Sequence, residues 1–151
     1  MLNRYAKMLA ALAAFGMAIT AYLIYQHYKV SSDSFCNLSD FINCDIVNKS
    51  EYSEIFGIPV SALGFLAYAA FFIASLGMYR KWFRPTRTLL LGGLIFSLFS
   101  LFFSLYLTAI EFFVLRTICL FCIAQQILIL IITLLITRLW FKQNSELFLR
   151  P

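Results

Sequence analysis

The sequence predicts an all-α integral membrane protein: four membrane-crossing helices in one domain spanning residues 1–151. Three observations carry that expectation. The chain of 151 residues is 62% hydrophobic and 18% aromatic but only 13% charged, more apolar than a soluble domain of this size can bury. Four stretches without Asp, Glu, Lys or Arg are each long enough to cross a hydrocarbon core of about 30 Å, which takes about 20 helical residues. The charges outside those stretches are sorted by sign, as membrane topology requires.

The first stretch, residues 8–28, follows Arg4 and Lys7. A signal peptide begins in the same way, but no small-residue cleavage site follows before "YQHYKV", so the segment reads as a retained helix. The polar segment 29–57 comes next and holds Asp33, Asp40, Asp45, Glu51 and Glu54. The second stretch, 58–79, leads into a basic link with Arg80, Lys81, Arg84 and Arg87. The third, 88–110, ends in a short turn around Glu111 to Thr117, and the fourth, 117–137, is followed by Arg138, Lys142 and Arg150. Basic flanks favour the cytoplasm, so both termini are expected inside and the acid-rich segment outside. The net charge of +5 lies beside apolar runs without an interleaved basic and aromatic patch, which argues against nucleic acid.

This topology places all four cysteines on the outer side. Cys36 and Cys44 lie in the outward segment, and Cys119 and Cys122 open the fourth helix as "CLFC". In an oxidising compartment such pairs persist as disulfides, and the pattern reads as two redox pairs. With Thr117 as helix cap, Cys119 falls in the first turn, where free N–H groups and Arg116 favour a thiolate. Cys122, three residues on, shares nearly the same face one turn deeper toward lipid. A membrane quinone is the two-electron acceptor expected for such a thiol. A tetrahedral metal site would call for a second short Cys pair, whereas seven residues separate Cys36 from Cys44, so no metal is expected.

The outward segment reads "FCNLSDFINCDIVNKSEYSEIFGIPVSALG", with Ser50, Phe56-Gly57 and Pro59 after the cysteine pair. Together with "CLFC", this pattern resembles the vitamin K epoxide reductase family in its bacterial branch, over all four helices. The resemblance implies a relay. A DsbA-like thioredoxin-fold partner would form a mixed disulfide with Cys36, Cys44 would pass electrons to Cys119, and Cys122 would reduce ubiquinone or menaquinone. It implies a role in disulfide bond formation in a bacterial inner membrane, with the cysteines on the periplasmic side. Many relatives carry a fused thioredoxin-like domain after the fourth helix; here none is expected and the partner is a separate protein. The vertebrate enzymes carry Thr-Tyr-Ala after the pair, where this chain has Ile123, Ala124, Gln125 and Gln126. In the unrelated DsbB type of oxidase the C-x-x-C lies in the first outward loop, the reverse of the order here.

Four further residues are quinone-site candidates. Ser50 belongs to the quoted motif, and Phe56, at the junction of segment and second helix, is in a position to wall a pocket. Gln125 and Gln126 follow Cys122 at helical spacing and suit either a hydrogen bond to a quinone carbonyl or one between helices. His27 is expected as an interfacial side chain, and Glu111 and Arg116 as an ion pair. The competing reading is a non-enzymatic four-helix membrane protein whose cysteines make structural disulfides or a metal site.

Overall fold

A computed structural model describes residues 2–30, 36–37, 39, 41–82 and 86–148 of the chain. Its elements in order are α1 (Leu2–Tyr28), the short α2 (Cys44–Asn48), strands β1 (Glu54–Ile55) and β2 (Ile58–Pro59), α3 (Val60–Tyr79), α4 (Arg87–Ile110) and α5 (Leu120–Phe148). The four long helices have the length and hydropathy to cross a membrane, as expected. The protein is a multi-pass all-α membrane bundle.

The helix ends depart from the uncharged stretches in both directions. α1 and α5 run into the basic flanks, taking in Arg4, Lys7, Arg138 and Lys142, because long cationic side chains can reach the interface from within a helix. At the other end of the bundle the helices are shorter than expected. Ile58 and Pro59 belong to the β-hairpin, and Thr117 and Ile118 lie ahead of α5.

Helix α3 stops in a hydrogen-bonded reversal. Lys81 takes a left-handed backbone, φ 59°, and the Trp82 and Lys81 N–H groups donate to the Gly77 and Met78 carbonyls at 3.0 and 3.3 Å, satisfying the last carbonyls of the helix. α4 restarts at the cap Thr86, whose hydroxyl accepts from the Leu89 N–H. Its last turn widens into a single π-helical turn, Glu111–Leu115.

The core lies among α1, α3 and α5, where Ala13 and Ile132 are fully buried and Leu9, Leu23, Phe71 and Leu128 pack around them. Gly16 sets the α1–α3 approach. A β-carbon there would stand 2.5 Å from the Tyr68 ring, so only glycine admits that ring. Tyr68 continues across, its hydroxyl donating to the Gln125 carbonyl of α5 at 3.2 Å. Four buried hydroxyls find partners within their own helices: Thr20 donates to the Gly16 carbonyl, Ser75 to Phe71, Ser97 to Leu94 and Thr133 to Ile129, since lipid offers them none. α4 packs on α5, but α3 and α4 touch at few points, among them the Phe71–Phe96 ring pair with centroids 5.2 Å apart.

The described part of the outward segment is folded. Asn43 caps α2, its side-chain oxygen accepting from the Asp45 and Ile46 N–H groups. A 3-10 turn, Glu51–Ser53, leads into the hairpin, which reverses at Phe56 and Gly57 with φ 53° and 77°. Two consecutive left-handed residues make the turn whose twist matches paired strands.

Candidate active site

Two attachments hold the outward segment over the bundle. At the end of α1, the buried Asn48 amide donates to the Leu23 carbonyl at 2.8 Å. The His27 ring bridges the Asn48 carbonyl, 2.6 Å from Nδ1, and the Glu54 carboxylate, 3.1 Å from Nε2. His27 is therefore a clamp between α1 and the segment, a role that its place at a helix end did not reveal.

The second attachment brings the cysteines together. Ile42 and Ile118 form a parallel backbone bridge, in which Ile118 N–H donates to the Phe41 carbonyl at 2.8 Å and Asn43 N–H to the Ile118 carbonyl at 3.2 Å. Cys44 follows one strand of this bridge by two residues and Cys119 the other by one. Cys36, Cys44, Val47 and Cys119 form one buried cluster, with Cys122, Leu115 and Phe121 packed against it. Cys36 and Cys44 are disulfide-bonded with Cα atoms 5.7 Å apart, and Cys119 and Cys122 are free thiols. Next to the disulfide, Asn37 Nδ2 donates to the buried Asp45 carboxylate at 2.7 Å.

The start of α5 differs from the expectation in three respects. Cys119, and not Thr117, stands at the cap position: the Cys122 N–H donates to Cys119 Sγ at 3.3 Å, while the Thr117 hydroxyl turns to the Leu115 carbonyl. Cys119 is wholly buried, sealed by the outward segment, whereas Cys122 is partly exposed, so the upper thiol is the more enclosed. Glu111 does not turn outward to Arg116. It is buried, and its Oε2 accepts the Cys119 N–H at 3.1 Å. The π-helical turn and a left-handed Arg116, φ 51°, swing the chain back to make this contact. Glu111 and Cys122 thus both hold Cys119, the first through its N–H and the second through its sulfur.

Below the cluster lies a cavity of about 540 Å³, bordered by the outward segment and by all four long helices. Its walls are mainly apolar, and Cys122, Glu111, Gln125, Ser50 and Ser61 border it; Cys119 does not. Largely exposed Leu66 and Phe99 also border it, so it reaches the bundle surface between α3 and α4. Of the other candidates, Gln126 accepts a hydrogen bond from the Ser104 hydroxyl of α4 and binds helix to helix. Phe56 lies outside the cavity: its side chain is 101% exposed at the hairpin tip, because the left-handed turn directs it away from the bundle. Among the described residues, no group of three or more His, Cys, Asp or Glu is placed to hold a metal ion.

Sequence reading missed Glu111, whose only sequence signal was its place as the one acid beside an otherwise uncharged helix. Ser61 was also missed, a small hydroxyl in an apolar run, indistinguishable from Ser75 or Ser97 until the cavity is seen. A model of the vitamin K epoxide reductase family matches residues 7–137. That match spans all four helices, the outward segment and both cysteine pairs, and the chain belongs to the vitamin K epoxide reductase family of membrane thiol/disulfide oxidoreductases.

Proposed function

We propose that the protein reoxidises a DsbA-like thioredoxin-fold protein and passes the two electrons to a lipid quinone, ubiquinone or menaquinone, in a bacterial cytoplasmic membrane with its cysteines facing the periplasm. One observation carries this reading: Cys119 is enclosed with Cys44, whereas Cys122 borders the cavity. The two neighbouring thiols of one C-x-x-C thus face two different reaction partners.

The sequence of exchanges follows. A partner thiolate attacks Cys36, the Cys36–Cys44 bond breaks, and the electron pair moves to Cys44. Cys36 is buried in this state, so docking of the partner has to uncover its sulfur. The partner's second thiol releases it as a disulfide, leaving Cys36 and Cys44 reduced. Cys44 then attacks an oxidised Cys119–Cys122 pair at Cys119, which requires only local motion because the cluster already holds both residues. Cys36 then attacks Cys44 of the resulting Cys44–Cys119 disulfide, which re-forms the Cys36–Cys44 bond and frees Cys119 as a thiol. Reduced Cys119 and Cys122 finally lose two protons and two electrons and close their own disulfide. A quinone in the cavity supplies the two-electron oxidant for that last step.

The cavity fits such a ring. Its volume lies in the ordinary range for small-molecule sites, about 300–1,000 Å³, and it reaches the lipid-facing surface. The Ser61 hydroxyl on its border is buried without a hydrogen-bond partner among the described residues, a donor without an acceptor that a quinone carbonyl would satisfy. Ser50 and Gln125 border the same space.

The test is turnover. Purified protein mixed with a reduced thioredoxin-fold protein and a soluble quinone should oxidise one dithiol per quinone reduced, and Cys44→Ala should accumulate a mixed disulfide through Cys36. Dithiol oxidation without quinone reduction would remove the cavity from the route. Absence of both reactions would leave the cysteines as structural.

A further inference from the structure

Oxidising two thiols with a quinone moves two protons as well as two electrons, and the protons need a path inside a largely apolar site. A buried carboxylate is costly and rare, so its presence calls for a reason. Glu111 is such a group. It is buried to 3% exposure, borders the cavity and bonds to the Cys119 backbone N–H at 3.1 Å. Cys122 borders the same cavity and donates its N–H to the Cys119 sulfur, so Glu111 and Cys122 flank one residue. A π-helical turn presents it, a distortion that concentrates at functional positions. Holding Cys119 in place would require only a neutral acceptor, which glutamine supplies without the burden of a buried charge.

We infer that Glu111 is the proton carrier of the quinone-reducing step, taking the proton of the Cys122 thiol and delivering it into the cavity. This inference rests on the quinone reading above. In the balanced step both S–H bonds break, the Cys119–Cys122 S–S bond forms, and the quinone takes two electrons and two protons to become quinol. Glu111 accepts the first proton, gives it to a quinone oxygen, and as carboxylate again carries the second. It is neither consumed nor oxidised. The titratable groups that face it are the Cys119 and Cys122 thiols. Tyr52 and Tyr68 border the same cavity, Tyr68 being engaged with the Gln125 carbonyl, and Arg116 is turned out to solvent.

The test is Glu111→Gln, which keeps an acceptor for the Cys119 N–H. Loss of a general base is expected to lower kcat for quinone reduction about 100-fold with little change in the quinone KM. Hydroxide must then replace the carboxylate, so the variant's rate should steepen toward about tenfold per pH unit relative to the native protein. A second measurement needs no quinone: alkylation of reduced Cys122 by a maleimide should show the same steepening. A variant with native kcat, or with a slower rate and an unchanged pH slope in both measurements, would overturn the inference. Glu111→Asp retains a carboxylate and should keep the native slope at reduced rate; if it takes the glutamine slope, the inference also fails. If the native protein itself reduces no quinone, the functional reading falls, and the alkylation slopes still decide the role of Glu111.

Discussion

Cys119 and Cys122 are three residues apart on one helix end, yet their surroundings differ completely. Cys119 accepts the Cys122 N–H as a helix cap and is packed with Cys44, facing the outward pair and not the cavity. Cys119→Ser keeps a capping oxygen, for which serine is well suited, while removing the exchange. The resulting protein should retain a quinone-dependent absorbance change through Cys122 but lose turnover. In the Cys36→Ala, Cys122→Ala double variant, Cys44 and Cys119 should lock as a disulfide with no quinone response. A quinone response in the second variant and none in the first would invert the two roles.

Glycine and turn geometry set the placement of whole elements. Gly16 lets α1 approach α3 against the Tyr68 ring, and that ring cannot retreat freely because its hydroxyl is held by α5. Gly16→Val is expected to cost about 1–3 kcal/mol through overpacking, seen as lower folded yield and thermal midpoint in detergent. Adding Tyr68→Ala should recover part of the loss, and additive losses would place the cause elsewhere. At the hairpin tip, Phe56 holds a left-handed backbone that glycine and asparagine adopt more easily. Phe56→Asn should therefore preserve the hairpin and leave the quinone KM within about twofold of native, since a residue outside the cavity contributes no binding energy there. A rise of about tenfold, roughly 1.4 kcal/mol of binding, would return Phe56 to the site.

The molecule as a whole is ordered along its long axis. Among the described residues, Asp45, Glu51, Glu54, Glu111 and the four cysteines lie at one end of the four long helices, and Arg80, Lys81 and Arg138 toward the other. The same polarity predicts the orientation in the membrane. In a cysteine-free background, Glu51→Cys should react with an impermeant thiol reagent in intact cells and Trp82→Cys should not. The reverse pattern would place both redox pairs in the reducing cytosol, where a disulfide-forming route cannot be sustained. The gap between α3 and α4 opens the cavity sideways, so the proposed lipid-borne acceptor would enter without crossing the protein.

The number of spans, the helical fold and the presence of two cysteine pairs were legible in the chain, because lipid permits so few backbone solutions that hydropathy and charge nearly determine them. The C-x-x-C at a helix start and the quoted loop motif were legible for a similar reason: local spacing is retained on folding. What the sequence could not show depends on contacts between residues far apart in the chain. The Ile42–Ile118 bridge puts Cys44 beside Cys119, and the His27 clamp pins the outward segment to α1. The π-helical turn rotates Glu111 from the surface to the thiols, and the hairpin turn sends Phe56 outward. The first two join distant segments, and the last two redirect a side chain through a few local backbone angles; no residue pattern encodes either. Helical spacing had already set Cys122 on the membrane side of the pair; the tertiary structure alone enclosed Cys119 with Cys44 and brought the acid at the end of α4 against this helix start.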